Sequence, residues 1–299
     1  MVDVIGIFSK SVHLGEYPYV VNIEAKRDRA HLCPATLITP SHAATSAGCI
    51  TIWKNFTNDE DDVWHLRDCR DYAIHAGNNH LDKSNSKSQI QDVSFWWAHP
   101  RYRKSSTGIA KNDLALIHMD DDLEMNHFVR TLSLPSSFST ELFIKSLELY
   151  GKKCVVLGWL KKATCVDSTL DSNSLQIYQV QIIKDDACSK KICDHYNIRL
   201  CDLDVNKLGF FCADLLNRTD CFCDSDTGGP IVCDGNLAGF STWMPKCKNN
   251  DKLPALFVNL EVLYEMEHHD FYSGKASISR ASDLAVFIAL ITLHFFVIF

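Results

Sequence analysis

Short stretches in which apolar and polar residues alternate recur along most of the chain. They are rich in Val, Ile, Tyr, Phe and Trp and are bounded by turn residues, as is typical of β-strands. The clearest are YPYVVNIEA, HLCPATLIT, YAIHAG, DVSFWWAHP, DLALIHM, KCVVLGWL, LQIYQVQII, GPIVCDG, LAGFSTW and ALFVNL. This pattern predicts an all-β sandwich or barrel rather than alternating strands and helices.

Two segments depart from the strand pattern. A helix is predicted near Leu260 to His268, because Leu260, Leu263 and Tyr264 fall on one helical face. The acidic stretch NDEDDVWHLRDCRD has no alternation and is interpreted as a solvated surface loop.

The C-terminal end, 284–299, is almost wholly apolar. It is short for a membrane-spanning helix, which needs about 20 residues. The small and polar spacer 271–283 before it is typical of a lipid (GPI) anchor signal, with Ser273 or Gly274 as the attachment residue. A short transmembrane helix starting near Ala281 is the alternative. Residues 1–3 begin no secretory signal, so we expect that signal to be missing from this sequence.

Composition and charge narrow the class of protein. The chain has 299 residues, of which 46% are hydrophobic and 22% charged, as in ordinary globular proteins. Its net charge is −7, and no Lys/Arg-rich run is present, so nucleic acid is not expected as a partner.

The cysteine content indicates an oxidising compartment. Thirteen cysteines are many for a cytosolic chain and predict disulfides in an extracellular protein. The triplets at Asn55 and Asn217 are candidate glycosylation sites, which fit the same compartment.

Several motifs follow one another in a fixed order: VIGI, EYPYVVNI, HLCPATLI with TSAGC, NDLALI, KCVVLGWL, CDSDTGGPIVC and GFSTWM. In this order they resemble the chymotrypsin-like serine proteases, the trypsin family, over residues 4–270. The resemblance implies two six-stranded antiparallel β-barrels with the active site between them. The predicted C-terminal helix and the hydrophobic tail follow these barrels in the chain.

The resemblance also assigns the catalytic positions, at which a serine attacks, a histidine takes its proton and an aspartate holds the histidine. Asp113 matches the aspartate. Gly48 stands in the place of the histidine and has no group that accepts a proton. Thr227 stands in the place of the serine, counting from the Gly-Gly-Pro, and a shifted register that uses Ser225 is the alternative.

Four other histidines are candidates for a displaced base: His42, His75, His80 and His99. His42 belongs to a predicted strand or its turn. For the other three, a loop or surface position is the preferred interpretation.

Three more parts of the family site are altered. The oxyanion-hole amides match Ser225 and Thr227, although the family has glycine at the first of these. The activation pair matches Val4 and Asp226, but an acidic residue precedes Val4. The positions of the substrate pocket match Cys221, Thr242, Trp243, Met244 and Ala255.

By the same resemblance, four disulfides are expected: Cys33–Cys49, Cys154–Cys233, Cys188–Cys212 and Cys223–Cys247. Cys69, Cys165, Cys193, Cys201 and Cys221 remain, and Cys193 and Cys201 are close enough in sequence to close a small loop. A zinc site is not expected from the spacing of Cys221 and Cys223, and no cofactor is implied.

Loss of the base or the nucleophile of such a triad lowers turnover on the order of a million-fold. The sequence therefore predicts a non-catalytic serine protease homologue, extracellular and tethered to the cell surface, that binds other proteins. Active proteases, protease inhibitors and surface receptors are the candidate partners. The alternative is an active serine endopeptidase with a rearranged site that uses Ser225 or Thr227 and a displaced histidine.

Overall fold

The structure is a computed structural model that describes residues 10–53, 64–83, 85–104, 109–135, 137–159, 173–196, 205, 208–216, 227–244 and 253–266. Its strands are β1 (Lys10–Ser11), β2 (Val20–Ala25), β3 (His31–Thr39), β4 (His42–Thr45), β5 (Thr51–Trp53), β6 (Trp64–Leu66), β7 (Tyr72–Ala76), β8 (Gln89–Ala98), β9 (Arg103–Lys104), β10 (Ala110–Lys111), β11 (Ala115–Met119), β12 (Lys153–Gly158), β13 (Gln176–Ile183), β14 (Phe210–Leu215), β15 (Pro230–Cys233), β16 (Asn236–Trp243) and β17 (Ala255–Asn259). Its helices are α1 (Ala47–Ile50), α2 (Ser137–Tyr150) and α3 (Asp185–Tyr196), with a 3-10 turn at Cys69–Asp71 and a helical stretch at 261–266.

The first barrel closes six antiparallel strands in the order β11-β4-β3-β2-β7-β8. Alternate residues of these strands, such as Ile23, Leu37, Ile74 and Ile117, are fully buried and form one hydrophobic cluster. Because side chains alternate between the two faces of a strand, the residues between them face the outside of the barrel or a neighbouring element.

The second barrel is a sheet in the order β13-β12-β15-β16-β17-β14, closed by pairing of β13 with β14. The short strand β1 adds to β13 at Ile177 and Gln176. A second hydrophobic cluster fills this barrel, with Tyr178, Phe211 and Phe257 among its members. The predicted all-β fold of two six-stranded antiparallel barrels is therefore confirmed.

Some local predictions were wrong. Helices α2 and α3 lie in segments for which no helix was predicted. The acidic stretch predicted as a loop contains β6, which pairs with β5 in a two-stranded ribbon. The C-terminal helix does form, at 261–266.

Three of the four expected disulfides are present and confirmed: Cys33–Cys49, Cys154–Cys233 and Cys188–Cys212. Each closed loop stabilises the fold by about 2–4 kcal/mol, mainly by restricting the unfolded chain. Cys69 is a half-buried thiol, and burial, with the nearby charge of Asp68, raises its pKa. The fourth expected pair, Cys223–Cys247, lies outside the described residues.

A buried polar cluster lies between β2, β3 and β7. His31 Nδ1 is 2.5 Å from Asn22 Oδ1, and His75 Nδ1 is 3.2 Å from Glu24 Oε2. Arg29 donates from Nε to Glu24 Oε1 at 3.1 Å. Burial alone would raise the pKa of Glu24, but hydrogen bonds and charges from His75 and Arg29 outweigh burial and lower it. These contacts offset part of the cost of removing polar groups from water.

The chain divides into two compact units, 1–263 and 264–299, and both barrels belong to the first. Within the described residues, no helix is long and apolar enough to cross a membrane. The tail 284–299 and the anchor candidates Ser273 and Gly274 lie outside those residues.

Candidate functional site

The short helix α1 places Gly48 at the surface. Ser46 is the N-cap residue of α1, and its side-chain oxygen accepts a hydrogen bond from the Gly48 amide at 3.1 Å. Ala47, Cys49 and Ile50 are buried in the first barrel, whereas Gly48 is exposed. The helix is therefore fixed by its buried neighbours and presents a bare backbone at this point.

Asp113 lies directly behind Gly48. Its side chain is buried, with only 2% of the residue exposed, and Oδ1 accepts a second hydrogen bond from the Gly48 amide at 2.7 Å. Oδ2 accepts from Thr242 Oγ1 at 2.5 Å. Because Thr242 belongs to β16 and Asp113 enters β11, this carboxylate links the two barrels.

Thr227 lies beside the same helix. Its carbonyl oxygen is 3.3 Å from Cys49 Sγ, the disulfide sulfur that follows Gly48 in sequence. The next residue, Gly228, donates its amide to Ser241 O at 2.8 Å, and Ser241 donates to Gly229 O at 2.8 Å. The structure thus places Gly48 in contact with Asp113, and Thr227 beside the next residue, Cys49.

The space above Gly48 accepts a side chain. A Cβ atom on Gly48 would lie 3.3 Å from Ser46 Oγ, 3.5 Å from Tyr102 OH and 3.6 Å from Asp113 Oδ1. These are tight to ordinary contacts, so the backbone here is compatible with a larger residue pointing towards the carboxylate. A residue larger than glycine would therefore fit at position 48.

The histidines that were candidates for a displaced base each contact other residues. His75 contacts Glu24 within the buried polar cluster, so the prediction of a loop or surface position for it was wrong. His99 Nδ1 accepts from the Arg101 amide at 3.1 Å, and His80 Nδ1 accepts from the Asp82 amide at 3.2 Å.

His42 lies in β4, with its ring against that of His118. Burial and the charge of His118 lower the pKa of His42 to about 4. In the register of β4, His42 alternates with Ala43, which belongs to the core of the first barrel. Its side chain therefore lies on the outer wall of that barrel.

The described residues at the predicted pocket positions are buried or half-buried. Met244 is only 3% exposed and belongs to the hydrophobic cluster of the second barrel, together with Ala255. Trp243, which precedes Met244 in sequence, is half-buried. The Thr242 hydroxyl donates a hydrogen bond to Asp113. Cys221 lies outside the described residues.

Several other predicted site residues also lie outside the described residues. These are Val4, Ser225 and Asp226, and the glycosylation candidates Asn55 and Asn217. Their assignments stay predictions.

Two residues of this region were not singled out from the sequence. Tyr102 is buried, and its hydroxyl faces the space above Gly48. Trp64 donates from Nε1 to the Tyr102 carbonyl at 3.1 Å, and the two rings make an edge contact. The sequence offered one signal for Tyr102, an aromatic residue shortly after His-Pro. Its position beside Gly48 and Asp113 arises only in the folded chain.

Comparison with known proteins adds family evidence to this geometry. The family model described as Trypsin matches residues 7–265. Cationic trypsin-3 of Rattus norvegicus is 24% identical over 79% of this chain and 77% of its own length. Trypsin-1 of Salmo salar is 29% identical over 58% of this chain and 62% of its own length. Kallikrein-8 of Homo sapiens is 27% identical over 63% of this chain and 64% of its own length.

Proposed function

Because this chain belongs to the trypsin family, we propose that it is an extracellular, non-catalytic member that acts by binding other proteins. One observation carries the proposal: the residue whose amide is 2.7 Å from the buried Asp113 carboxylate is an exposed glycine. Peptide hydrolysis by this fold requires a base at that place.

The missing base has a direct chemical consequence. A neutral hydroxyl is a weak nucleophile until an adjacent group takes its proton. Gly48 offers only an amide N–H, which donates to Asp113 and Ser46. The attacking hydroxyl therefore has no acceptor in the position that the family uses.

The nucleophile position supports the same conclusion. Thr227 is β-branched and half-buried, beside the disulfide sulfur of Cys49. The base and the nucleophile act as one unit, so the losses at positions 48 and 227 do not add. Together they lower turnover on the order of a million-fold.

Substrate recognition is altered as well. Met244 and Ala255, which stand at pocket positions of the family, are buried with the core of the second barrel. A surface that no longer cleaves still offers loops around the old cleft for binding, and loops on a rigid scaffold are common recognition elements. We propose active proteases, protease inhibitors or surface receptors as the partners.

The rival function is an active endopeptidase that uses Ser225 or Thr227 with a displaced histidine. A fluorophosphonate probe, which bonds covalently to activated serine or threonine oxygens, distinguishes the two. We expect no stoichiometric adduct on the intact chain by mass spectrometry, with active trypsin as the positive control. An adduct at either residue, lost in a Ser225→Ala or Thr227→Val variant, would establish the rival.

Localisation follows from the family and the chemistry of the fold. Three disulfides in a trypsin-family chain are typical of a secreted or extracellular protein. We further propose a lipid anchor attached at Ser273 or Gly274, because a small polar spacer precedes the apolar stretch 284–299. Cleavage by a phospholipase specific for such anchors should release the protein from cells. Retention with the tail still attached would instead identify a transmembrane helix.

A further inference from the structure

Two histidines face each other on the outer wall of the first barrel. His42 in β4 and His118 in β11 are direct partners in the antiparallel register, and their ring centroids are 4.5 Å apart. Their sequence neighbours Ala43 and Ile117 belong to the barrel core. Because successive side chains alternate between faces, both imidazoles lie on the side away from that core.

Both rings are held by their surroundings. His42 Nδ1 lies 2.9 Å from Thr39 Oγ1 and 3.1 Å from Ser41 Oγ. The ring of His118 stacks on Phe95, with centroids 4.8 Å apart and planes 15° from parallel. Little side-chain freedom therefore remains to be lost when these rings bind a ligand.

The pair stays accessible from outside the barrel. His42 and His118 are half-buried, and Phe95 on the next strand is 46% exposed. Both imidazoles are therefore partly exposed to solvent on the outside of the barrel.

This arrangement has the chemistry of a transition-metal site. Neutral imidazole is the commonest protein ligand for Zn²⁺ and also binds Cu²⁺ and Ni²⁺. A ligating histidine usually bonds its second ring nitrogen to a nearby polar group, which fixes the tautomer. The hydroxyls beside His42 Nδ1 already supply such a group, which assigns ligation to Nε2.

The ring spacing suits one shared ion. Zn–N bonds of about 2.0–2.1 Å place two ligand nitrogens of a tetrahedral site about 3.4 Å apart. Because the nitrogens stand away from the ring centre, a centroid separation of 4.5 Å is compatible with one nitrogen of each ring at about this distance.

We propose that His42 and His118 form a surface site for a divalent transition-metal ion of the zinc class. Within the described residues, no group of three or more His, Cys, Asp or Glu side chains converges on a metal position. The part of the chain that the structure describes therefore supplies two ligands to this site, and water completes the coordination. It binds more weakly than a four-ligand structural zinc site and does not hold the fold together.

The test is calorimetric titration of the metal-stripped full chain with Zn²⁺ at neutral pH. We expect one ion per chain, and either His42→Gln or His118→Gln should weaken its binding by about tenfold or more. The matched control is His65→Gln, which removes an exposed histidine of β6 and should leave binding unchanged. Ca²⁺ should give no heat at this site, because it prefers oxygen ligands.

The unmodified chain provides a second measurement that does not depend on how the variants fold. Cu²⁺ is paramagnetic and should selectively broaden the imidazole proton resonances of His42 and His118 at substoichiometric concentration. The proposal would be overturned if a chain carrying both His42→Gln and His118→Gln bound Zn²⁺ as tightly as the unmodified chain. Broadening centred on other histidines would also overturn it. The outcome is independent of whether the chain hydrolyses peptides.

Discussion

Gly228→Ala should abolish folding or lower the free energy of unfolding by more than about 4 kcal/mol. Gly228 has a φ of +94°, which L side chains rarely adopt. A Cβ there would clash with Thr45 Oγ1, and it would lie 3.0 Å from the Pro34 carbonyl oxygen and 3.1 Å from Cys49 Sγ. The obstacles are a short side chain, a backbone carbonyl and a disulfide, and not the far end of a flexible side chain.

Gly235 provides the matched control for this substitution. It also has a positive φ, of +80°, but a Cβ there meets no atom within 4 Å. Gly235→Ala should therefore cost only the backbone strain, about 1–2 kcal/mol. Urea denaturation of both variants, monitored by tryptophan fluorescence, gives their free energies of unfolding. The difference between them is the steric contribution, apart from the backbone strain that both share. Equal stability of the two variants would mean that the loop after Thr227 does not pack against the disulfide.

Asp113→Ala should lower the free energy of unfolding by about 3 kcal/mol. The carboxylate is buried and accepts hydrogen bonds from the Gly48 amide and the Thr242 hydroxyl, one from each barrel. Truncation removes both bonds and leaves the Thr242 hydroxyl facing a cavity. We expect a lower urea midpoint, and easier proteolysis of the native protein where the barrels meet.

Two further variants test whether loss of the Asp113 carboxylate itself causes the expected loss of stability. Asp113→Asn keeps the volume and one acceptor, and the Thr242 hydroxyl can turn to accept from the new amide, so it should cost less than Asp113→Ala. Asp120→Asn removes an exposed carboxylate one residue beyond β11 and should change stability by less than about 0.5 kcal/mol. If Asp113→Ala were as harmless as Asp120→Asn, the aspartate would have no structural role.

The strands were the most predictable part of the fold. The stretch HLCPATLIT coincides with β3, and ALFVN of the last predicted stretch coincides with β17. Short runs of β-branched and aromatic residues between turns carry this information locally. Closure of two barrels is not local, and it followed from the family resemblance.

Helix α2 was hard to predict because its apolar residues do not share one face. In α2, Leu147 is buried, whereas Leu142, Leu149 and Tyr150 are exposed, which obscures the helical period. In α3 a signal was present. Two aspartates lie in its first turn, and Cys188 and Ile192, four residues apart, are both buried.

The residues of the candidate site were named from the sequence, but their contacts were not. Motif order matched Gly48, Asp113 and Thr227 to the triad positions. The structure places the Gly48 amide against Asp113 and the Thr227 carbonyl beside Cys49. The burial of Met244 and the position of Tyr102 depend on side chains from distant parts of the sequence. The polar cluster around Glu24 likewise joins three strands, so no local pattern indicates it.

The most direct measurement of the proposed lack of catalysis is hydrolysis of a diverse peptide library by the purified full chain, read by mass spectrometry. Because no imidazole stands at position 48, we predict no cleavage above the protein-free blank, and no change in Ser225→Ala or Thr227→Val variants. Reproducible cleavage that disappears when one histidine is replaced by glutamine, and also when Ser225 or Thr227 is removed, would contradict the account.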